Sequence, residues 1–283
     1  MFQRIVIQED VPVKGLSSFR TGGRARYMAI AHNIDELAAI RDFASMQGLP
    51  LYIIGEGTNV LFKDGKLNLC ILKLSGEFSK HRLSKDSVIE AGAGVRLSSI
   101  INTYQHLEPG LNVFTGLPGT MGGACFGNAG VNIRGKRFSM MDAAKNVYIF
   151  SNNQKQKIPK EQVSYKYRQT DISGIITGVE IGLAAFTPFR DDIPQRPAIE
   201  PFPNTGCIFK NPVQCPPAGK LIDECGLKGT RIGGAMVSNI HANFILNVEN
   251  ASAQDIIELI ELIKNSVLKK TGIELELEIK VVG

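Results

Sequence analysis

Cys207, Arg168, Glu278 and His241 are of types that move protons or steady developing charge. Cys207 lies in Asn204-Thr-Gly-Cys-Ile-Phe-Lys-Asn-Pro212. A lone thiol is ordinarily a small buried hydrophobe, but here its neighbours are polar, and Lys210 and Asn211 follow at once. With a reference pKa of about 8.5, a thiol is mostly protonated at neutral pH and can give up a proton. Arg168 sits in Ser164-Tyr-Lys-Tyr-Arg-Gln-Thr170, where aromatic and basic residues alternate. That run reads equally as an exposed strand face or as a placed cation. Glu278 shares a strand face with Glu274, Glu276 and Lys280, and a solvated edge is the plainer reading. His241 alone cannot make a metal site and reads as a structural histidine.

Around these stand three glycine turns, at 55–57, 92–94 and 116–130. The longest is Thr115-Gly-Leu-Pro-Gly-Thr-Met-Gly-Gly-Ala-Cys-Phe-Gly-Asn-Ala-Gly130. Glycine lets backbone N–H groups converge on an anion and lets a flat ligand lie against the main chain, and Pro118 pins φ within the run. The familiar nucleotide motifs are absent. Gly92-Ala-Gly94 would need glycine at 97 and has Leu97, and Gly55-x-Gly57 would need it at 60 and has Val60. Gly130-Val-Asn-Ile-Arg-Gly-Lys136 matches a P-loop up to its lysine, but Arg137 stands where a hydroxyl must hold Mg²⁺. All three turns can be plain tight turns, and 92–94 is read as one. The other two could together grip the pyrophosphate of one long dinucleotide.

The elements that must position these groups follow from the pattern. Arg26 to Ala31 reads as a strand, and Asn33 with Glu36 opens a helix to about Gln47, closed by Gly48. Leu51 to Ile54 reads as a buried strand, completing a βαβ unit. Strands follow at 69–74, 87–91, 143–150 and 174–186, with a helix at 98–105 and the glycine-dense loop after it. Residues 187–204 are rich in proline and read as an interdomain linker. Beyond them come a short helix (217–225), a strand (241–248) and a long helix capped by Ser252 and Asp255 and closed by Gly272. Its buried stripe is Ile256, Leu259, Ile260, Ile263 and Val267. Ile273, Leu275, Leu277, Ile279 and Val281 alternate with charged residues in a final half-buried strand. The order of elements is α+β.

The 283 residues suffice for a large core and two or three subdomains. A net charge of +5 favours anionic ligands, but without a Lys/Arg block nucleic acid is not an expected partner. No run is long enough to span a bilayer and the N-terminus lacks a signal-peptide stretch. The five cysteines form no C-x-x-C pair, which fits reduced thiols in a cytoplasmic protein without a metal site.

With these residues in hand, the chain resembles the UDP-N-acetylenolpyruvoylglucosamine reductase (MurB) family over nearly its whole length. The likeness runs from Ser18-Phe-Arg-Thr-Gly-Gly23 and Ile54-Gly-Glu-Gly-Thr-Asn-Val-Leu61 through Gly116 to Ala124, Asn128-Ala-Gly130 and Tyr167-Arg168. It continues in Gly206-Cys-Ile-Phe-Lys-Asn-Pro212, Ala235 to Phe244 and Leu275 to Gly283. The resemblance implies a two-lobed FAD-binding domain of the vanillyl-alcohol-oxidase/PCMH type plus a C-terminal α+β substrate domain. The lobes are expected at 1–76 and 77–190 and the substrate domain at 191–283, the last strand returning to the first lobe. Noncovalent FAD is the implied cofactor and NADPH the co-substrate, in a cytoplasmic monomer that reduces UDP-N-acetylglucosamine enolpyruvate to UDP-N-acetylmuramate for peptidoglycan.

Residue by residue, the resemblance puts FAD contacts at Gly55, Glu56, Gly57, Thr58, Asn59 and Val60. It puts others at Gly116, Leu117, Pro118, Gly119, Thr120, Gly122, Gly123, Asn128, Ala129 and Gly130. Cys207 falls at the proton donor, usually serine, and Arg168 and Glu278 at the other catalytic positions. Asn211 and Lys280, with Lys210 and Tyr167, are the implied substrate contacts. The chain looks like the shorter branch, without a substrate-clamping loop. The alternative is an FAD-dependent sugar or alcohol oxidase of the same fold. Many of those tether FAD through a histidine, and none lies at 50–60 or 112–130.

Overall fold

A computed structural model describes residues 5–192 and 198–283. The strands of the first half are β1 (Ile7–Pro12), β2 (Arg24–Ala31), β3 (Leu51–Ile54), β4 (Val60–Phe62), β5 (Lys66–Leu74), β6 (His81–Leu83), β7 (Val88–Gly92), β8 (Gly130–Ile133) and β9 (Lys136–Ser139). Then come β10 (Ala144–Ser151), β11 (Gln154–Pro159), β12 (Tyr165–Lys166), β13 (Gln169–Thr170), β14 (Ile175–Gly182), β15 (Arg231–Ile232), β16 (Ala235–Val237), β17 (Ile245–Asn247) and β18 (Lys280–Val282). The helices are α1 (Ile34–Met46), α2 (Leu97–Tyr104), α3 (Met121–Phe126), α4 (Met140–Ala143), α5 (Ala218–Glu224) and α6 (Ala253–Thr271). The chain forms two compact units. Their described residues are 5–7, 28–55 and 70–192 in the first, and 8–27, 56–69 and 198–283 in the second. The chain passes from one unit to the other within β1, β2 and β5 and between Gly55 and Glu56.

The first unit is built on an antiparallel sheet of order β11-β10-β14-β7-β6. Its inward residues, Ile89, Val147 and Val179, are fully or almost fully buried. They belong to one core with Leu97 and Ile100 of α2 and Met121 and Cys125 of α3. Phe114, Phe138 and Phe186 pack ring to ring in the same core, at centroid distances of 5.5–5.6 Å. The alternation along β14 puts Glu180 on the other face, where it accepts hydrogen bonds from Asn146 and Lys157. The α1 start follows its capping chemistry: Asn33 Oδ1 accepts from the Glu36 N–H, and Glu36 in turn accepts from the His32 N–H. β2 and β3 share a four-stranded sheet of order β1-β2-β5-β3, with β5 between them.

The second unit packs α5, α6 and the β15-β16-β17 sheet around one core with Phe19 and Leu61. All five residues of the α6 stripe are at most 2% exposed. At about 1.5–3 kcal/mol each, they supply a gross term on the order of 10 kcal/mol. The capping box of Ser252 and Asp255 opens α6, and Gly272, at φ +71°, closes it.

Several expectations need correction. Leu51 to Ile54 is not a buried strand: only Ile54 is buried, and Ile53 is 40% exposed. The glycine-dense stretch is not all loop, because Thr120 caps α3 by accepting from the Gly123 N–H. The strand expected to reach Phe186 stops at Gly182, and Leu183–Phe189 is a 3₁₀ helix. Leu183 and Phe186, both buried, are three residues apart, which suits that helix and not a strand. The strand expected over 241–248 is only Ile245–Asn247, since Ser238 Oγ accepts from the N–H groups of Ile240 and His241 and folds a loop there.

The proline-rich linker is anchored at both ends. Arg190 bonds to Glu108, and the Glu200 carboxylate accepts from Ser238 and Asn239. Its residues 193–197, with Pro194 and Pro197, lie outside the described residues. Gly130 to Lys136, the P-loop-like stretch, is the β8–β9 hairpin, turning through Arg134 and Gly135 at φ +49° and +77°. The alternation expected over 273–281 holds only as far as Ile279. Val281 is 37% exposed and Val282 is buried, because the segment changes pairing partner at Glu278.

Candidate active site

In the first unit, Arg168 is the second residue of a two-residue turn closing the β12–β13 hairpin. It is half-buried, with φ +56°, a left-handed conformation uncommon for arginine. Asn128 Nδ2 donates to the Lys166 carbonyl at 2.9 Å, and Thr170 Oγ1 donates to the Phe126 carbonyl at 2.9 Å. Both legs of the hairpin are thereby tied to the chain leaving α3. The Tyr167 ring lies 4.5 Å below the Arg137 guanidinium and 5.8 Å from that of Arg168. Asn128 Oδ1 accepts from the Met141 N–H, and Arg137 donates to the Asn128 carbonyl. The Asn128 side chain is therefore buried and bonded to protein at both ends.

The glycine-dense run lies close by in the same unit. Gly116 and Gly119 turn at φ +76° and +109° on either side of Leu117 and Pro118. Gly122 sits against Ala93, and its N–H donates to the Ala93 carbonyl. Gly55, from the earlier turn, packs so tightly on Thr120 that a Cβ would come within 2.5 Å of its Oγ1. Ala129 and Gly130 continue into β8, the Ala129 carbonyl accepting from the Met140 N–H.

The second unit brings Cys207 and Glu278 together through their backbones. Glu278 N–H donates to the Ile208 carbonyl at 2.8 Å, Lys210 N–H donates to the Glu276 carbonyl at 2.8 Å, and Phe209 bridges Leu277. On its other side the Cys207 segment bridges Phe244. Asn243 fixes that register. Its Oδ1 accepts from the Phe209 N–H at 2.9 Å, its Nδ2 donates to the Phe209 carbonyl at 2.8 Å, and its own carbonyl accepts from Ile208. Sequence reading did not single out Asn243; a buried amide between His241 and Phe244 was the available signal. Cys207 and Glu278 are both half-buried. By contrast, burial pushes the Cys70 and Cys125 thiols up to about 11 and about 12, so both stay protonated and inert.

The first glycine turn lies beside Glu278. Asn59 Nδ2 donates to the Glu278 carbonyl at 3.0 Å, and Lys280 N–H donates to the Asn59 carbonyl at 2.9 Å. From there β18 runs parallel to β4, with Lys280 beside Val60. Gly57, at φ +65°, presses on the Leu16 carbonyl, and Glu56 lines a polar pocket of about 470 Å³ with Ser17, Ser18, Arg20 and Asn204. Lys210 pairs with Glu276 at 3.1 Å, and Asn211 Oδ1 accepts from the Ala218 N–H at the start of α5. His241 Nδ1 accepts from the Asn243 N–H at 3.3 Å, and burial lowers its pKa, which keeps the ring neutral and structural. Among the described residues no group of three or more His, Cys, Asp or Glu side chains could hold a metal ion, and no helix is long and apolar enough to cross a membrane.

Comparison with known proteins supplies independent findings. A family model described as an FAD binding domain matches residues 25–150, and one described as the C-terminal domain of UDP-N-acetylenolpyruvoylglucosamine reductase matches residues 197–282. The chain is 35% identical to the UDP-N-acetylenolpyruvoylglucosamine reductase of Chloroherpeton thalassium, over 99% of this chain and 96% of that protein. It is 34% identical to that of Alkaliphilus oremlandii, over 97% and 92% respectively. The crystal structure of the Thermus caldophilus reductase superposes with a TM-score of 0.79 at 29% identity, covering the whole of both chains.

Proposed function

This chain belongs to the UDP-N-acetylenolpyruvoylglucosamine reductase family, and we propose that it reduces the enolpyruvyl ether of UDP-N-acetylglucosamine to the lactyl ether of UDP-N-acetylmuramate with NADPH. The carrying observation is the Glu278 N–H to Ile208 carbonyl bond, which sets a thiol and a carboxylate on neighbouring segments. The two relatives' shared name speaks for this reaction over a sugar or alcohol oxidase.

The residues fit the FAD that the first family model implies. A Cβ built on Gly123 would meet only Thr120 Oγ1, at 3.5 Å, so bare main chain is open to a flat group there. The residues that would hold it are Gly55, Gly116, Leu117, Pro118, Gly119, Thr120, Gly122, Gly123 and Asn128 to Gly130 in the first unit, and Glu56 to Val60 in the second. Bound FAD supplies hydride transfer from the nicotinamide to the terminal vinyl carbon of the sugar ether.

Arg168 holds its guanidinium for the substrate carboxylate, where negative charge grows as the vinyl carbon is reduced. Glu278 assists, either as a protonated hydrogen-bond donor or by orienting a neighbour. Cys207 Sγ carries the proton delivered to the carbon beside the carboxylate, a contribution worth roughly 10²–10⁴-fold. Asn211, Lys210, Lys280 and Tyr167 bind the sugar nucleotide. NADPH and sugar react in turn, so the kinetics are ping-pong. In this reading residues 1–76 and 77–190 serve the cofactor and 191–283 the substrate, in a cytoplasmic monomer.

Stopped-flow absorbance tests the proposal. The purified protein should be yellow, bleach with NADPH, and regain colour when UDP-N-acetylglucosamine enolpyruvate is added. Cys207→Ala should still bleach but slow the return of colour, whereas Cys207→Ser should keep much of the activity. Equal slowing of both half-reactions by Cys207→Ala would remove Cys207 from the role of proton donor. Oxygen consumption with NADPH and no enolpyruvyl sugar would favour the oxidase.

A further inference from the structure

We infer that Asn59 is a positioning residue for Glu278, an inference that rests on the role proposed above for that carboxylate. The segment 276–282 changes partner midway. Up to Glu278 it pairs with Ile208–Lys210, and from Lys280 it pairs with β4. At such a crossing the backbone groups of the middle residues lose the regular ladder, and a part-buried carbonyl left without a donor is costly. Asn59 fills that gap. Its side-chain amide takes the Glu278 carbonyl at 3.0 Å while its own carbonyl takes the Lys280 N–H at 2.9 Å.

One residue thus grips the chain on both sides of Ile279, which is itself buried at 3% exposure. Glu278 is then held at each end of its backbone, by Ile208 through its N–H and by Asn59 through its carbonyl. Its side chain is thereby carried on a fixed base. The Ile208 bond also ties that base to the residue next to Cys207, so Asn59 sets the carboxylate relative to the thiol. Only a side chain with a donor at this length can do so. Aspartate presents an acceptor to an acceptor, and alanine presents nothing. The resemblance of Gly55-Glu-Gly-Thr-Asn59 to a cofactor turn does not itself call for this bond.

The test uses the FAD-loaded enzyme with Asn59→Ala and Asn59→Asp, and repeats Asn59→Ala in a Glu278→Gln background. Because residue 59 also belongs to the turn proposed to contact FAD, each half-reaction is read per bound flavin, and NADPH should still bleach that flavin. The step with enolpyruvyl sugar should slow roughly 10–100-fold, the scale expected from a misplaced catalytic group. Asn59→Asp should slow the same step, because it removes the donor to the Glu278 carbonyl. Asn59→Ala should slow Glu278→Gln no further. Amide hydrogen exchange at residues 278–280 should quicken in Asn59→Ala whether or not the enzyme turns over. Unchanged exchange there, additive slowing in the double variant, or equal slowing of both half-reactions per bound flavin would each overturn the inference. If Asn59→Ala yields no folded holoenzyme, Asn59→Ser, whose hydroxyl is too short to reach, gives the same readings. Failure of the wild-type enzyme to use the sugar, with exchange still quickened in the variant, would instead count against the proposed function.

Discussion

The Arg168 hairpin and the paired segments carrying Cys207 and Glu278 solve one problem at very different chain distances. Arg168 is held by partners that are near in sequence: Asn128 reaches Lys166 across 38 residues and Thr170 reaches Phe126 across 44. Its hairpin is two residue pairs long and mostly exposed, so side-chain bonds do what a longer ladder would do elsewhere. Glu278 is held by Asn59 from 219 residues away, and the Cys207 segment by a fully buried amide. Both places use asparagine to satisfy backbone groups that no strand partner reaches. The Asn128–Lys166 and Asn59–Glu278 bonds are part-buried and the Asn243–Phe209 pair is buried, and burial sets the cost of losing a bond.

That difference can be broken or sharpened by substitution. The largest effect is expected at Asn243. Asn243→Leu leaves the Phe209 N–H and carbonyl unpaired in a buried site, and should destabilise the protein by about 2–5 kcal/mol. Urea unfolding followed by far-UV circular dichroism measures it. A loss comparable to that at a surface site would mean the Cys207 segment is held by something else. Asn128→Ala should come next, at about 1–3 kcal/mol, since one buried side chain serves both Lys166 and Met141. Faster amide exchange at 165–170 should accompany it; slow exchange there would show that the hairpin stands without Asn128.

A smaller, pH-dependent effect separates the first unit's framework from its hairpin. The Arg190 guanidinium bonded to Glu108, helped by the Gly110 N–H and Thr187, holds that buried carboxyl below its usual 4.5 against the cost of burial. A carboxyl depressed on folding adds stability above its unfolded pKa and loses it as pH falls. Thermal stability should therefore drop as pH is lowered from 4.5, and Glu108→Gln, less stable at pH 7, should show a shallower drop. Parallel curves for the two proteins would exclude Glu108 as a source of acid sensitivity. The smallest change is expected for Thr170→Val, about 0.5 kcal/mol, because its bond to Phe126 is solvent-exposed. Chemical denaturation would read it against Asn128→Ala.

Much of this architecture was legible from local chemistry. The α6 stripe and its capping box, the α1 cap, and the antiparallel strands around Val147 and Val179 follow from periodicity and short-range hydrogen bonds, which depend on residues a few positions apart. The sequence also put Cys207 in a polar setting, and the structure leaves it half-buried. Elsewhere the local pattern misled. The alternation through 273–281 predicts one unbroken strand, but register depends on which neighbour is present, and here the neighbour changes at Glu278. The reach from Asn59 to Glu278 and the grip of Asn243 on Phe209 leave no periodic trace. By itself the sequence determined which residue types were available to give a proton, hold a cation and expose bare main chain, since those properties belong to side chains and to glycine. Which of them stand side by side was decided by the tertiary structure, because only folding brings to one part-buried carbonyl a donor from the far end of the chain.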